Sequence, residues 1–302
     1  MHLTIWQTIL LALLQGVTEL FPISSLGHTV IIPGLLGWGN LETDTACGGQ
    51  SCFLPIIVAL HLGTAIALVI YFWRDWLQVL RSVFTAVRDA EIRKGTDEWV
   101  SFMVILGCIP AGLLGVFLET PLKQLFASPL IASTFLVVNG SLLFLGERMR
   151  LRSESAEVNL SPKEREARFR SLSSLSVKEA LIVGLAQSLA LIPGFSRSGT
   201  TMVAGLGIRL THEDAARFSF LLGTPIIGAA AVLEIPQLIS QPTSVLELVF
   251  LGMVLAGVAA FVSTRFLMKY FETGRLYPFA CYCWGAGLLS LALFLFVFHS
   301  AA

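Results

Sequence analysis

Charge is scarce in this sequence. Asp, Glu, Lys and Arg make up 13% of its 302 residues, against about a quarter in a soluble globular domain. With a mean hydropathy of +0.78, that shortage excludes an ordinary soluble domain and leaves an integral membrane protein. The formal net charge is zero. There is no lysine-rich tract and no interleaving of Arg with aromatics, so nothing points to nucleic acid as a partner. Cysteine is nearly as sparse. Cys47, Cys52, Cys108, Cys281 and Cys283 form no Cys-x-x-Cys pair, which supports neither a zinc site nor a thioredoxin motif. Cys281 and Cys283 lie in apolar sequence and read as small packing residues. Cys47 and Cys52 flank a Gly-Gly-Gln-Ser loop, where a disulfide requires an oxidising compartment. The amino terminus lacks a basic stretch and a small-residue cleavage site, so it reads as mature membrane sequence rather than a signal peptide.

What the chain has instead is apolar length. Six stretches of about 20 apolar residues are long enough to cross a bilayer: 53–73, 100–118, 130–146, 215–235, 246–266 and 278–298. The third is short at its core and borrows flanking residues. Two further apolar regions, about 3–37 and 180–210, are broken midway by polar residues, and each is predicted to be a re-entrant helical hairpin. Loops 74–99 (Arg74, Arg81, Arg88, Arg93, Lys94), 147–179 (eight Arg and Lys) and 267–277 (Lys269, Arg275) are basic. Loops 38–52, 119–129 and 236–245 hold one basic residue, Lys123. Short basic loops stay cytoplasmic, which puts both termini and the Cys47/Cys52 loop outside. The strongly polar run 150–176 reads as a solvated loop with at most one surface helix.

The two broken regions carry the same punctuation. Residues 15–29 (QGVTELFPISSLGHT) and 187–201 (QSLALIPGFSRSGTT) both run from Gln through apolar residues and Pro to Ser-x-x-Gly and Thr. Ser24, Ser25, Leu26 and Gly27 align with Ser196, Arg197, Ser198 and Gly199, and Leu62-Gly63-Thr64 matches Leu222-Gly223-Thr224. Each half is then a hairpin plus three spans. Three is odd, so the second half is inverted and the two tips meet near the midplane. Broken backbone is tolerated there only when buried in protein or lining a wet cavity. The predicted fold is an all-α integral membrane protein with an inverted-topology repeat. It forms a single membrane domain over 1–302, with repeats at about 1–146 and 180–300 joined by a polar cytoplasmic loop, 147–179.

Several residues in the tips carry chemistry. Gln15 and Glu19 share a helix face, and Glu19 sits inside an apolar run, where an ionisable group marks function or a buried hydrogen bond. Pro22 ends that helix, and Ser24 or Ser25 can cap the next; Ser196 and Ser198 do the same in the second tip. Half-helix N-termini are anion sites, so these serines either cap alone or also meet substrate. Arg197 has no acidic residue within ten positions. It suits bidentate phosphate binding or an ion pair with Glu19 across the hairpins. His28 follows Ser25 by three residues, which puts hydroxyl and imidazole on one face for acid/base work. His61 has no such company and reads as a helix–helix hydrogen bond.

At these motifs the chain resembles the undecaprenyl pyrophosphate phosphatases, bacterial membrane enzymes linked to bacitracin resistance. The first family motif is matched by Gln15, Glu19, Pro22, Ser24, Ser25, Gly27 and His28. The second is matched by Pro193, Gly194, Ser196, Arg197, Ser198, Gly199 and Thr201. Residues 215–226 (AARFSFLLGTPI) are also similar. Gln15 stands where many members have Glu, Leu26 where Ser or Thr is common, and loop 40–52 looks longer than usual. The resemblance implies hydrolysis of undecaprenyl diphosphate to the monophosphate, recycling the lipid carrier for cell-wall synthesis. Arg197 with Ser24, Ser196, Ser198, Gly199 and Thr201 would hold the diphosphate. Ser25 would be nucleophile or phosphate ligand, and His28 the acid/base. Glu19, with Gln15, would bind Mg²⁺ or Ca²⁺ or orient the nucleophile. The nucleophile stays open between Ser25, His28 and water. The implied partners are a polyprenyl diphosphate lipid and the bilayer, with a homodimer compatible. The implied location is the bacterial plasma membrane, with the site facing outward. A flippase using the same anion site is the alternative. A lipid phosphatase of the other common type fits poorly, because no Arg-Pro dipeptide occurs and Val203 stands six residues after Arg197.

Overall fold

The computed structural model describes residues 4–38, 53–89, 94–118, 128–155, 169–239 and 242–298. Cys47 and Cys52, where a disulfide was conditional on an oxidising compartment, and Arg93, Lys123, Lys163, Arg165 and Arg168 lie outside the described residues. Eleven α-helices are described: α1 (Ile5–Thr18), α2 (Ser25–Leu35), α3 (Phe53–Tyr71), α4 (Trp73–Asp89), α5 (Asp97–Phe117), α6 (Pro129–Ser155), α7 (Val177–Gln187), α8 (Arg197–Gly207), α9 (His212–Ile239), α10 (Thr243–Tyr270) and α11 (Tyr277–Ala292). A π-helical turn, Leu293–Phe298, extends α11. Among the described residues there is no strand, only an isolated bridge between Arg170 and Leu210.

All six expected spans are helical. Five helices are long and apolar enough to cross a membrane: Asp97–Phe117, Pro129–Arg152, His212–Leu233, Val245–Tyr270 and Tyr277–Val297. A sixth, α3, reaches that standard together with α4, to which it is bent by 83°. The protein is an all-α integral membrane protein. The expectation of a loop over 74–99 is corrected here, because most of it is α4. Trp73, Leu77, Leu80, Val83 and Phe84 are exposed on that helix while Val79 and Ser82 are buried. Such an amphipathic surface suits a membrane interface. Apolar side chains interspersed among arginines were the sequence signal.

The two broken regions fold as expected into pairs of short helices. α1 has 14 residues, and α2, α7 and α8 have 11 each. At about 1.5 Å per residue, none spans a hydrocarbon core of about 30 Å. Both pairs begin with a capping box, Thr4 with Gln7 and Ser176 with Glu179, which satisfies N–H groups orphaned at a helix start. The spacing from Thr4 to Ser176 is the same as from Ser24 to Ser196. Arg170 also binds Glu179. Burial raises the Glu179 pKa, but hydrogen bonds from Arg170 and Ser176 outweigh it and bring it down to about 2. This carboxylate at the end of the polar loop therefore stays ionised and pins the entry to α7.

Helix packing places the tips. α1 packs along α10 and α7 along α5, while α3 contacts both α9 and α10. α6 packs on α11 and also carries both α2 and α8, so one long helix supports both tips. Close approach decides the contact of α3 with α10. A Cβ on Gly63 would fall 2.1 Å from the Met253 carbonyl oxygen, and backbone cannot give way there as a flexible side chain could. Gly63→Ala should therefore force the two helices apart, at about 1–3 kcal/mol, and lower the melting temperature of the detergent-purified protein.

Candidate active site

Tip one is built around two abrupt changes of direction. α1 ends at Thr18, with the Glu19 N–H still bonded to the Gln15 carbonyl at 3.0 Å, and Pro22 cannot continue the helix. Ser24 then adopts φ +69°, a left-handed conformation that costs a non-glycine residue on the order of 1–3 kcal/mol. It is held there from both ends. Its hydroxyl accepts the Gly27 N–H at 3.1 Å, capping α2, and its carbonyl accepts His28 Nδ1–H at 2.6 Å. The turn delivers Ser25, the first residue of α2, with its hydroxyl donating to Glu19 Oε2.

Tip two is the counterpart. After a 3₁₀ turn over Ser188–Leu191, Pro193 and Gly194 (φ +100°) reverse the chain. Ser196 caps α8 by accepting the Gly199 N–H at 3.1 Å. Arg197 begins that helix and reaches back. Its Nη2 donates to Glu19 Oε1 at 2.9 Å and its Nη1 to the Ser219 carbonyl on α9 at 3.2 Å. The guanidinium lies across Gly223, where a Cβ would sit 1.6 Å from Nη1. The two glycines of the repeated Leu-Gly-Thr therefore serve different ends: Gly63 admits a helix, Gly223 an arginine.

The tips meet and are fastened together. Asn139, fully buried on α6, donates to the Pro22 carbonyl at 3.0 Å and accepts the Ser196 N–H at 3.1 Å. Ser198 Oγ, 3.0 Å from Ser196 Oγ, donates to the Phe21 carbonyl at 3.3 Å. Cys283, buried as expected of a packing residue, lies beside the same clamp, 3.4 Å from Asn139 Nδ2; Cys281 is exposed.

Glu19 is the hub, only 7% exposed. Oε1 takes Arg197. Oε2 takes Ser25, Gln15 Nε2 at 3.1 Å and His61 Nε2 at 3.4 Å. The structure thus brings Gln15, Glu19, Ser25 and Arg197 together and includes the ion pair that was the alternative reading for Arg197. It departs from expectation at the histidines. His28 does not turn to Ser25: Nδ1 is taken by Ser24, and Nε2 lies 2.8 Å from the Tyr282 hydroxyl, with the rings stacked at 5.6 Å. A shared helix face did not decide the contact, because the Ser24 carbonyl one turn back captures the imidazole. His61, set apart in the sequence reading, contacts Glu19 instead. Gly199 and Thr201 are taken up by the scaffold. Thr201 Oγ1 lies 2.7 Å from the Arg197 carbonyl and 2.6 Å from Ser219 Oγ. Asn139 and Tyr282 were missed, and Ser219 and Gly223 were singled out only as parts of matching stretches; a polar Asn inside the apolar run Leu136–Leu143 was the signal available for Asn139.

Among the described residues no three His, Cys, Asp or Glu side chains converge as a metal cluster. The donors at Glu19 nonetheless suit a hard cation. Gln15 Oε1 is buried with no hydrogen-bond partner among the described residues, and it belongs to the amide already touching the carboxylate. Mg²⁺ and Ca²⁺ bind through such oxygens, with waters and substrate phosphates completing the shell. The residues present fit such an ion.

Residues 8–289 match the protein family described as "Bacitracin resistance protein BacA". The chain belongs to this family. Among its BacA relatives, an undecaprenyl-diphosphatase 2 of Burkholderia thailandensis is 45% identical over 97% of this chain and 98% of its own. An undecaprenyl-diphosphatase of Mycolicibacterium paratuberculosis is 42% identical over 97% and 99%. An undecaprenyl-diphosphatase 2 of Frankia alni is 40% identical over the same shares. The matched residues include both tips and Asn139. Asn139→Leu would strand the Pro22 carbonyl and the Ser196 N–H in a buried setting, each worth about 1–3 kcal/mol. A clear fall in melting temperature is expected in a thermal-shift measurement, and an unchanged one would remove Asn139 from the clamp.

Proposed function

We propose that this BacA protein hydrolyses undecaprenyl diphosphate to undecaprenyl phosphate and inorganic phosphate, the activity its relatives' names give them. The observation that carries the reading is the meeting of a hydroxyl, a carboxylate and a guanidinium at a buried joint between two helix N-termini. Arg197 exchanges Glu19 for oxygens of the diphosphate, which its planar fork matches in pairs. The N-termini of α2 and α8 add their positive ends. This frees Glu19 as a base for Ser25, already hydrogen-bonded to it.

Ser25 Oγ then attacks the terminal phosphorus, and its proton passes to Glu19. The bond from that phosphorus to the bridging oxygen breaks, and undecaprenyl phosphate leaves with the electron pair. Water cleaves the Ser25 phosphoester, restores the hydroxyl and releases inorganic phosphate, and Glu19 returns its proton to solvent. A divalent cation held by Glu19 and Gln15 would supply charge neutralisation on the diphosphate. In this scheme positioning and electrostatics do most of the work. His28 acts through Ser24, holding the strained turn that aims Ser25, and is a positioning residue rather than the acid/base.

We also infer an inverted repeat in the bacterial plasma membrane, with both termini outside and the site opening outward. The matched capping boxes, the matched tips and the basic loops support that reading.

Phosphate release from C55 diphosphate by detergent-purified protein tests the assignment. Ser25→Ala, Glu19→Gln and Arg197→Ala should each reduce release by about 100-fold or more, and wild-type rates in all three would sink it. Gly223→Ala is a sharper probe. Its Cβ meets the far end of a flexible side chain, so melting should change little while release falls as the guanidinium is displaced.

A further inference from the structure

We propose that Tyr282 is a positioning residue for Ser25, acting on it through His28 and the strained turn at Ser24. The inference rests on the reading of Ser25 as the nucleophile of a phosphate-releasing reaction. His28 Nδ1 lies 2.6 Å from the Ser24 carbonyl oxygen. A carbonyl only accepts, so Nδ1 carries a proton. The ring is buried, its two partners are a carbonyl and a hydroxyl, and among the described residues it has no carboxylate partner. A charge without a counter-charge is expensive there, so the imidazole is neutral. Nε2 is then an acceptor, and the Tyr282 hydroxyl, 2.8 Å away, donates to it.

Two hydrogen bonds therefore run in one direction, from the Tyr282 O–H to Nε2 and from Nδ1–H to the Ser24 carbonyl. Bonds in such a chain strengthen one another. The imidazole is also held flat, stacked on Tyr282 with centroids 5.6 Å apart and planes 17° from parallel. The Ser24 carbonyl depends on this partner. Its other donor, the His28 backbone N–H, is at 3.3 Å, and a residue at φ +69° keeps that conformation only while its surroundings impose it. That turn aims Ser25 at Glu19. Neither Tyr282 nor His28 bonds to Ser25, Glu19 or Arg197 among the described residues, so Tyr282 reaches the nucleophile by way of the turn.

Phosphate release from C55 diphosphate is measured with full-length protein in detergent. Tyr282→Phe keeps the stacked ring and removes only the O–H. Its kcat should fall about tenfold with KM unchanged, because Tyr282 touches no substrate. His28→Ala should cost at least as much, and adding Tyr282→Phe to it should cost nothing further, the non-additivity of residues that act as a unit. Should His28→Ala not fold, NMR of the histidine-labelled wild type and Tyr282→Phe reads the relay directly. Nδ1 is expected protonated and Nε2 bare in the wild type, with the Nδ1–H proton moving upfield in the variant. An unchanged kcat in Tyr282→Phe, an equal loss in the wild-type and His28→Ala backgrounds, a rise in KM alone, a proton on Nε2 or an unmoved Nδ1–H would each overturn the proposal. A wild type that releases no phosphate overturns the hydrolase reading and Ser25's part in it, whereas release with an unmoved Nδ1–H overturns only the role of Tyr282.

Discussion

Two pairs of short helices turn in the interior of the molecule, and the backbone groups freed at their turns are shut away from water. A membrane interior tolerates such turns only when protein supplies the partners. Asn139 meets that demand for both at once, donating to the Pro22 carbonyl and accepting the Ser196 N–H. Its amide offers both a donor and an acceptor, so one side chain couples the two turns. With Ser198 bound to the Phe21 carbonyl, each tip is satisfied through the other or through α6. Neither turn is a separate structure.

That coupling creates the chemistry. Because the tips are in register, the first side chain of α2 and the first of α8 converge on Glu19 from different hairpins. A carboxylate at this depth is tolerated because it is paired and hydrogen-bonded. The same partners, a hydroxyl and a guanidinium, are those a phosphoryl-transfer site needs. The self-satisfied arrangement is therefore one exchange away from a site that holds an anion. In the proposed reaction Arg197 gives up Glu19 for phosphate, and Glu19 becomes free to act on Ser25. Strain at Ser24 belongs to the same arrangement, since an ordinary conformation there would turn Ser25 elsewhere.

The sequence was informative where a local rule is also a global one. Low charge and long apolar runs fixed the membrane class, and six spans were legible because no other structure hides that much apolar backbone. The polar interruptions marked both tips, and Pro22 and Gly194 marked their turns. Ser24 and Ser196 follow those turns as caps, which needs only neighbouring residues to work. Glu19 and Arg197 were legible because an intramembrane charge demands a reason wherever it sits. Loop 74–99 was misread because its arginines hid an amphipathic period.

By itself, then, the sequence determined the class, the helices, the two tips and the residues in them, since all depend on short-range geometry and on the cost of polarity in lipid. Only the tertiary structure decided who touches whom. Ser25 and His28 share a helix face, yet Ser25 turns to Glu19 while His28 turns to the Ser24 carbonyl and to Tyr282. His61 comes from another helix to the same carboxylate, and Asn139 joins two segments that lie far from it and from each other in the chain. The physical reason is that hydrogen bonds are settled by distance and angle in space, and helix packing, not spacing along the chain, sets those.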